Sequence, residues 1–369
     1  MLGIEYVCID HDARDADLSK KFFNNNNFKR YSLAFVESQF WDKYYGITNI
    51  SYPTIPHLGV NKDAKFVELE EDYKIVVLSF SRLNQVLPQL GQILYVLEQF
   101  DENYLFSQFQ TWHYAMIYFM REILNCSEFE LLSNYRTINI FGHNITQFLK
   151  FEMIEGLKTD HDIEIYGDEY WKFIFPDYYK GWLDNKEQID ELFSHNNCLY
   201  LLLNWAPSIF TSNPHLYNAI KRKNPFVCYA PLAKTDEFKG FEHIEYDNIT
   251  KLNHIVENIR DIFKNPVLLQ AIKNQQSVLE TSSKFFENSI LSNKDSQYQF
   301  EFERMCSKTI KKIDQKVYRF MDKNEVLLRG AYDFLFKESV SIDISKSKFF
   351  KREYVQKIVK LTPQDLKLS

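Results

Sequence analysis

Glycine is scarce in this chain, 10 residues in 369, and that scarcity argues against a glycine-rich loop of the P-loop kind as the device that cradles phosphate. Any phosphate site must use side chains or the free N–H groups at helix starts instead. Cysteine is sparse and scattered: Cys8, Cys126, Cys198, Cys228 and Cys306 form no CxxC pair and no Cys/His ligand spacing. This pattern suits a reducing compartment, and the thiols of Cys198 and Cys228, lying in apolar runs, read as small hydrophobic groups. A basic excess is also missing. The formal charge of −6 argues against a protein that coats nucleic acid through a general basic surface, while leaving room for local basic patches. The longest apolar run, around Cys198 to Asn204, is too short to span a bilayer, and no basic segment leads into an apolar core near Met1. The expectation is a cytoplasmic protein.

What is present is an aromatic-rich globular composition, 45% hydrophobic and 25% charged, in a chain long enough for two domains. The stretch from Asp162 to Asp247 carries short apolar runs separated by polar turns and helix-like segments, the rhythm of a doubly wound parallel sheet. Expected strands of one sheet are Ile75–Phe80, Thr137–Phe141, Ile163–Tyr166, Leu199–Leu203, Phe226–Tyr229 and Ile244–Tyr246. Ahead of them, Leu2–Ile9 and Leu33–Ser38 read as strands and Asn49–His57 as a strand that crosses onward. Leu83–Leu132 reads as helical, with Tyr95, Phe100, Phe106, Phe109, Trp112, Tyr118 and Phe119 as core rather than a sugar platform. Ligands of such sheets sit at the carboxyl ends of the strands. That singles out Gly167 with Asp168, Asn204 with Trp205, Tyr229 to Pro231, and Asp247.

The ordered segments IYGDEYW (Ile165–Trp171), Gly181-Trp182, LYLLLN (199–204), SNPHLYNAIKRKNPFVCYAP (212–231) and EHIEYDN (242–248) resemble the nucleotide-sugar lobe of the spore-maturation-type, CgeB-like glycosyltransferases of glycosyltransferase group 1 type. The likeness runs from about Lys74 to Ile272. It implies a GT-B fold of two Rossmann-like lobes: a short first lobe over 1–73, a nucleotide-sugar lobe over 74–272 with a helical insertion at about 83–135, and a helical C-terminal extension over 273–369. It also implies that the last helices return to the first lobe. The family carries Asn-x-Arg-x-Phe followed by an acid in the segment where this chain has Asn213, His215, Tyr217 and Asn218, with no glycine in the following Lys221–Asn224.

The resemblance implies a metal-independent transfer of sugar from a nucleotide-sugar donor to a glycan, lipid or protein acceptor. Transfer of that kind needs positive charge, N–H groups or a helix dipole to offset the leaving diphosphate, and a base for the acceptor proton. Arg82, Gly167, Asp168, Asn204, Asn213, His215 and Asn218 are the donor-binding candidates. A helix start capped by Ser212 or Asn213 offers N–H groups to the diphosphate, and it is equally an ordinary capped helix. His11 and Asp12, at the tip of the first strand, are the catalytic candidates, though a polar strand tip is also what a loop or cap requires. Trp171 and Trp182 either stack on a base or pack. No Asp-x-Asp stands in a metal-site context. The tail carries Lys346, Lys348, Lys351, Arg352, Lys357 and Lys360 against Glu353, with Phe349, Phe350, Tyr354, Val355 and Ile358 between them. It is either a solvated helix or a contact for a partner or the inner face of a membrane. Two other functions remain open: a non-catalytic module that keeps the fold and binds nucleotide, sugar or protein, and a nucleotide-sugar hydrolase.

Overall fold

The computed structural model describes residues 7–10, 24, 29–32, 42, 46–48, 51–53, 66–183, 185–195, 197–203, 214–230, 232, 239–292, 297–337, 342–362 and 364–366. Three short strands, β1 (Val7–Asp10), β2 (Lys29–Ser32) and β3 (Ser51–Pro53), pair in parallel and in chain order. On β2 the buried Arg30 guanidinium holds the Asp42 carboxylate at 2.7 Å. Of the expected Leu33–Ser38 strand, the residues lie outside those described.

The larger sheet has six parallel strands: β4 (Lys74–Leu78), β5 (Ile163–Tyr166), β6 (Tyr179–Gly181), β7 (Cys198–Leu202), β8 (Phe226–Tyr229) and β9 (Glu245–Tyr246). Their spatial order is β6-β5-β4-β7-β8-β9. Ile75 is the hub of the register, opposite Ile163 on one side and Leu199 on the other. Strands β7 and β8 are buried along their whole length, as continuous apolar runs covered on both faces require. The chain winds outward from β4 to β6, returns to the other side of β4, and winds outward again to β9. This is the doubly wound Rossmann-type order, with its reversal between β4 and β7.

Between β4 and β5 the chain is helical: α1 (Leu83–Val86), α2 (Leu90–Leu97), α3 (Leu105–Tyr118), a π-helical turn at Phe119–Ile123, and α4 (Glu128–Gly156). The expected strand at Thr137–Phe141 is the middle of α4. Tyr135, Ile138, Phe141, Ile145 and Phe148 are buried at spacings of three and four, while Ile140 is exposed. A strand would have placed Ile138 and Ile140 on one face; the helical period separates them. Instead, β6 completes the sheet as an edge strand of three half-exposed or exposed residues. The aromatic residues of α3 are core, with Phe109, Trp112 and Tyr114 fully buried.

The remaining helices are α5 (Trp171–Ile174), α6 (Lys186–Leu192), α7 (Pro214–Arg222), α8 (Ile249–Ile262), α9 (Pro266–Ser292), α10 (Gln297–Lys323), α11 (Glu325–Phe336) and α12 (Glu353–Lys360). Helix α10 runs along α3, where the Tyr318 hydroxyl donates to Glu122 at 2.6 Å, and it also reaches β3. The tail helix α12 buries Tyr354, Val355 and Ile358 against α4 and α5. Several tail cations are engaged on the way. Arg352 pairs with Glu152 at 2.7 Å, Lys348 donates to the Phe100 carbonyl at 3.0 Å, and Lys357 donates to the Ile174 carbonyl at 2.7 Å. The apolar face that would enter a membrane is thus turned onto the protein's own body. Among the described residues no helix is long and apolar enough to cross a membrane.

Candidate functional site

The reversal of winding directs attention to the residues that leave β4, Ser79-Phe-Ser-Arg82. Pairing with β5 persists one residue beyond the strand, since Ser79 N donates to the Tyr166 carbonyl at 3.0 Å. The two chains then come so close that a Cβ on Gly167 would lie 1.8 Å from the Ser79 carbonyl oxygen. No other residue type fits, so Gly167 is accounted for by the approach of one strand end to the next. The same carbonyl accepts from the Trp171 indole N–H at 2.7 Å, which fixes Trp171 as a buried packing residue.

Asp168 is occupied in the same way. Its carboxylate accepts from the Ser81 N–H at 2.5 Å, the Ser81 hydroxyl at 2.6 Å and the Tyr170 N–H at 3.0 Å. Both oxygens clamp the loop, so Asp168 shapes the site rather than facing a ligand. From below, two residues one turn apart on α4 support the loop. The Gln147 amide nitrogen, turned inward, donates to the Phe80 and Ser81 carbonyls at 2.5 and 3.2 Å. Lys150 Nζ donates to Ser79 Oγ at 2.8 Å and reaches the Phe80 carbonyl at 3.5 Å. Lys150 is buried; desolvation first, and then the charge of Arg82, lower its pKa to about 8, with Asp168 opposing.

Clamped this tightly, the loop presents two residues to solvent. Phe80 is 52% exposed and lies 4.9 Å from the ring of Trp182, itself 45% exposed at the end of β6. The pair forms an aromatic surface across the end of β5. Arg82, also exposed, is held in the left-handed region at φ 42°, ψ 37°. That conformation costs an ordinary L-residue about 1–2 kcal/mol, and the clamp sustains it.

The other candidates stand as follows. His215 lies on the first turn of α7, its ring stacked 6.0 Å from that of Phe193; desolvation lowers its pKa to about 4, so the imidazole is neutral at pH 7 and supplies no charge to a diphosphate. Asn218 is half-buried on the same helix. His11, Asp12, Asn204 and Asn213 lie outside the described residues. Arg82, Gly167 and Asp168 are brought together at the end of β4 and β5. Lys150 and Phe80 were missed: a lysine within a helical pattern reads as a solvated or snorkelling side chain, and only the three-dimensional loop reveals what it faces. Among the described residues there is no group of three or more His, Cys, Asp or Glu able to hold a metal ion. Compared with protein-family models, curated proteins and solved structures, the chain matches none.

Proposed function

We propose that the chain is a GT-B-type glycosyltransferase of the CgeB-like kind with a short first lobe, binding the diphosphate of a nucleotide sugar on the Ser79–Arg82 loop. One observation carries the reading: the sheet reverses its winding beside β4, and one of the two residues exposed there is an arginine held in a strained conformation by a dedicated clamp. A guanidinium makes charge-assisted, bidentate hydrogen bonds to phosphate oxygens and offsets the charge that develops on a leaving diphosphate. The exposed Phe80 and Trp182 rings beside it, tilted 50° to one another, offer apolar ring faces to a sugar or base. The return of α10 to β3 is in keeping with a two-lobed arrangement. His11 and Asp12, just past β1, are the proposed base for the acceptor proton, and no metal is assigned a role. The acceptor is a glycan, lipid or protein.

Engagement of both Asp168 oxygens within the protein, and the neutrality of His215, also favour a second reading, a nucleotide-sugar-binding module without transfer. A thermal-shift screen against UDP, GDP, CMP and ADP with their sugars, followed by an assay for transfer and sugar release, tests both. A ligand at about 100 times its Kd should stabilise the fold by about 2.7 kcal/mol. Stabilisation with transfer supports the enzyme, stabilisation without it the binding module, and no stabilisation by any compound removes both.

A further inference from the structure

Lys150 is a buried cation that the diphosphate reading does not yet use. It sits one turn from Gln147 on α4, and these two buried polar residues support the loop from beneath. Its nitrogen meets a hydroxyl and a carbonyl oxygen, and no carboxylate of the described residues forms an ion pair with it. The charged groups acting on it are Arg82, which opposes its protonation, and Asp168, which favours it but is committed to Ser81 and Tyr170. The next acids along α4 are drawn elsewhere: Glu152 accepts from Arg352 and Tyr354, and Glu155 accepts from the N–H groups of Glu353 and Tyr354. A buried ammonium with no carboxylate in contact is costly, and an anion resting on the loop above it would offset that cost.

We propose that Lys150 is the second cation of an oxyanion site whose first is Arg82, and that binding of a phosphate-type anion on the Ser79–Arg82 loop is coupled to the uptake of one proton by Lys150. The amine lone pair takes the proton from solvent hydronium, leaving water, and the resulting ammonium faces the anion through Ser79 Oγ and the loop backbone. This rests on the site argued above but not on the sugar or the nucleoside. Lys150 acts through the loop, as a positioning residue. Anion affinity is constant below about pH 8, where the free amine is already protonated, and falls by up to tenfold per pH unit above it until the amine of the complex also deprotonates.

The test uses the full chain with lysines labelled at 13Cε, the Lys150 signal being assigned by its loss in Lys150→Arg, and inorganic pyrophosphate as probe. The expected result is a Lys150 titration midpoint near 8 that rises by a unit or more at saturating pyrophosphate, with pyrophosphate Kd at least tenfold weaker in Lys150→Met at pH 7. A midpoint unmoved by bound pyrophosphate, wild-type affinity in Lys150→Met, or no pyrophosphate binding at all would overturn the proposal. Pyrophosphate binding with the Lys150 response, but no binding of any nucleotide sugar, upholds this inference and removes the glycosyl-transfer reading. A nucleotide sugar that binds while Lys150 stays unmoved does the reverse.

Discussion

At the scale of single residues, the loop after β4 separates what is structural from what is proposed to face a ligand. Gly167 belongs to the first kind. Gly167→Ala must push a methyl group into the Ser79 carbonyl, and should cost about 3 kcal/mol or more in denaturant unfolding. Arg82 belongs to the second. Arg82→Gly relieves a left-handed backbone, so stability should stay level or rise by up to about 1 kcal/mol, while diphosphate binding weakens by about 1.5–3 kcal/mol. A loss of both stability and binding would make Arg82 a structural residue. Lys150 gives a pH signature in the free protein. The folded state holds the Lys150 proton less tightly than the unfolded chain, where lysines titrate near about 10.4, so the unfolded state binds more protons between about pH 8 and 10. The penalty is full below that window and fades as pH rises through it. Relative to wild type, Lys150→Met should therefore gain stability at pH 7, on the order of 3 kcal/mol, and lose that advantage progressively toward pH 10 in chemical unfolding. An advantage that is the same at both pH values would contradict a lowered lysine pKa.

At the scale of elements, α12 shows how the tail is held. Glu155 on α4 accepts from the N–H groups of Glu353 and Tyr354 at 3.0 and 2.7 Å, satisfying two of the free donors at the start of α12. Glu155→Ala should cost about 1 kcal/mol, read as faster amide hydrogen exchange across Glu353–Lys360 with β4 and β5 unchanged. Uniform loss of protection over the whole chain would place the role of Glu155 elsewhere. Elements were legible in the sequence where burial on both faces wrote a continuous apolar run, as in Leu199–Leu203 and Phe226–Tyr229. Thr137–Phe141 misled because β-branched residues in it favour a strand locally, while the apolar spacing of α4 on either side dictates a helix. The edge strand β6, Tyr-Lys-Gly, buries too little to leave any apolar signature. Of the candidate site, Gly167 and Asp168 were legible because the winding pattern points to strand ends, and Arg82 only through the family resemblance, but what Gly167 and Asp168 do there depends on a close approach between residues about 88 apart, and no local pattern records it.

At the scale of the molecule, the exposed Ser79–Arg82 loop lies at the reversal of winding, with α4 beneath it, Asp168 after β5 at its side, and its own Phe80 against Trp182. The cleft of about 270 Å³ lined by Glu152, Glu155, Lys158, Asn253 and Arg352 is occupied with holding the tail. The measurement that bears most directly on the loop as the ligand site is amide hydrogen exchange of the wild type with and without the nucleotide sugar that gives the largest thermal shift. Added protection should concentrate at residues 79–82 and 167–168, and be absent in Arg82→Gly at the same ligand concentration. Protection confined to the cleft around Arg352 and Asn253, or equal in Arg82→Gly, would contradict it.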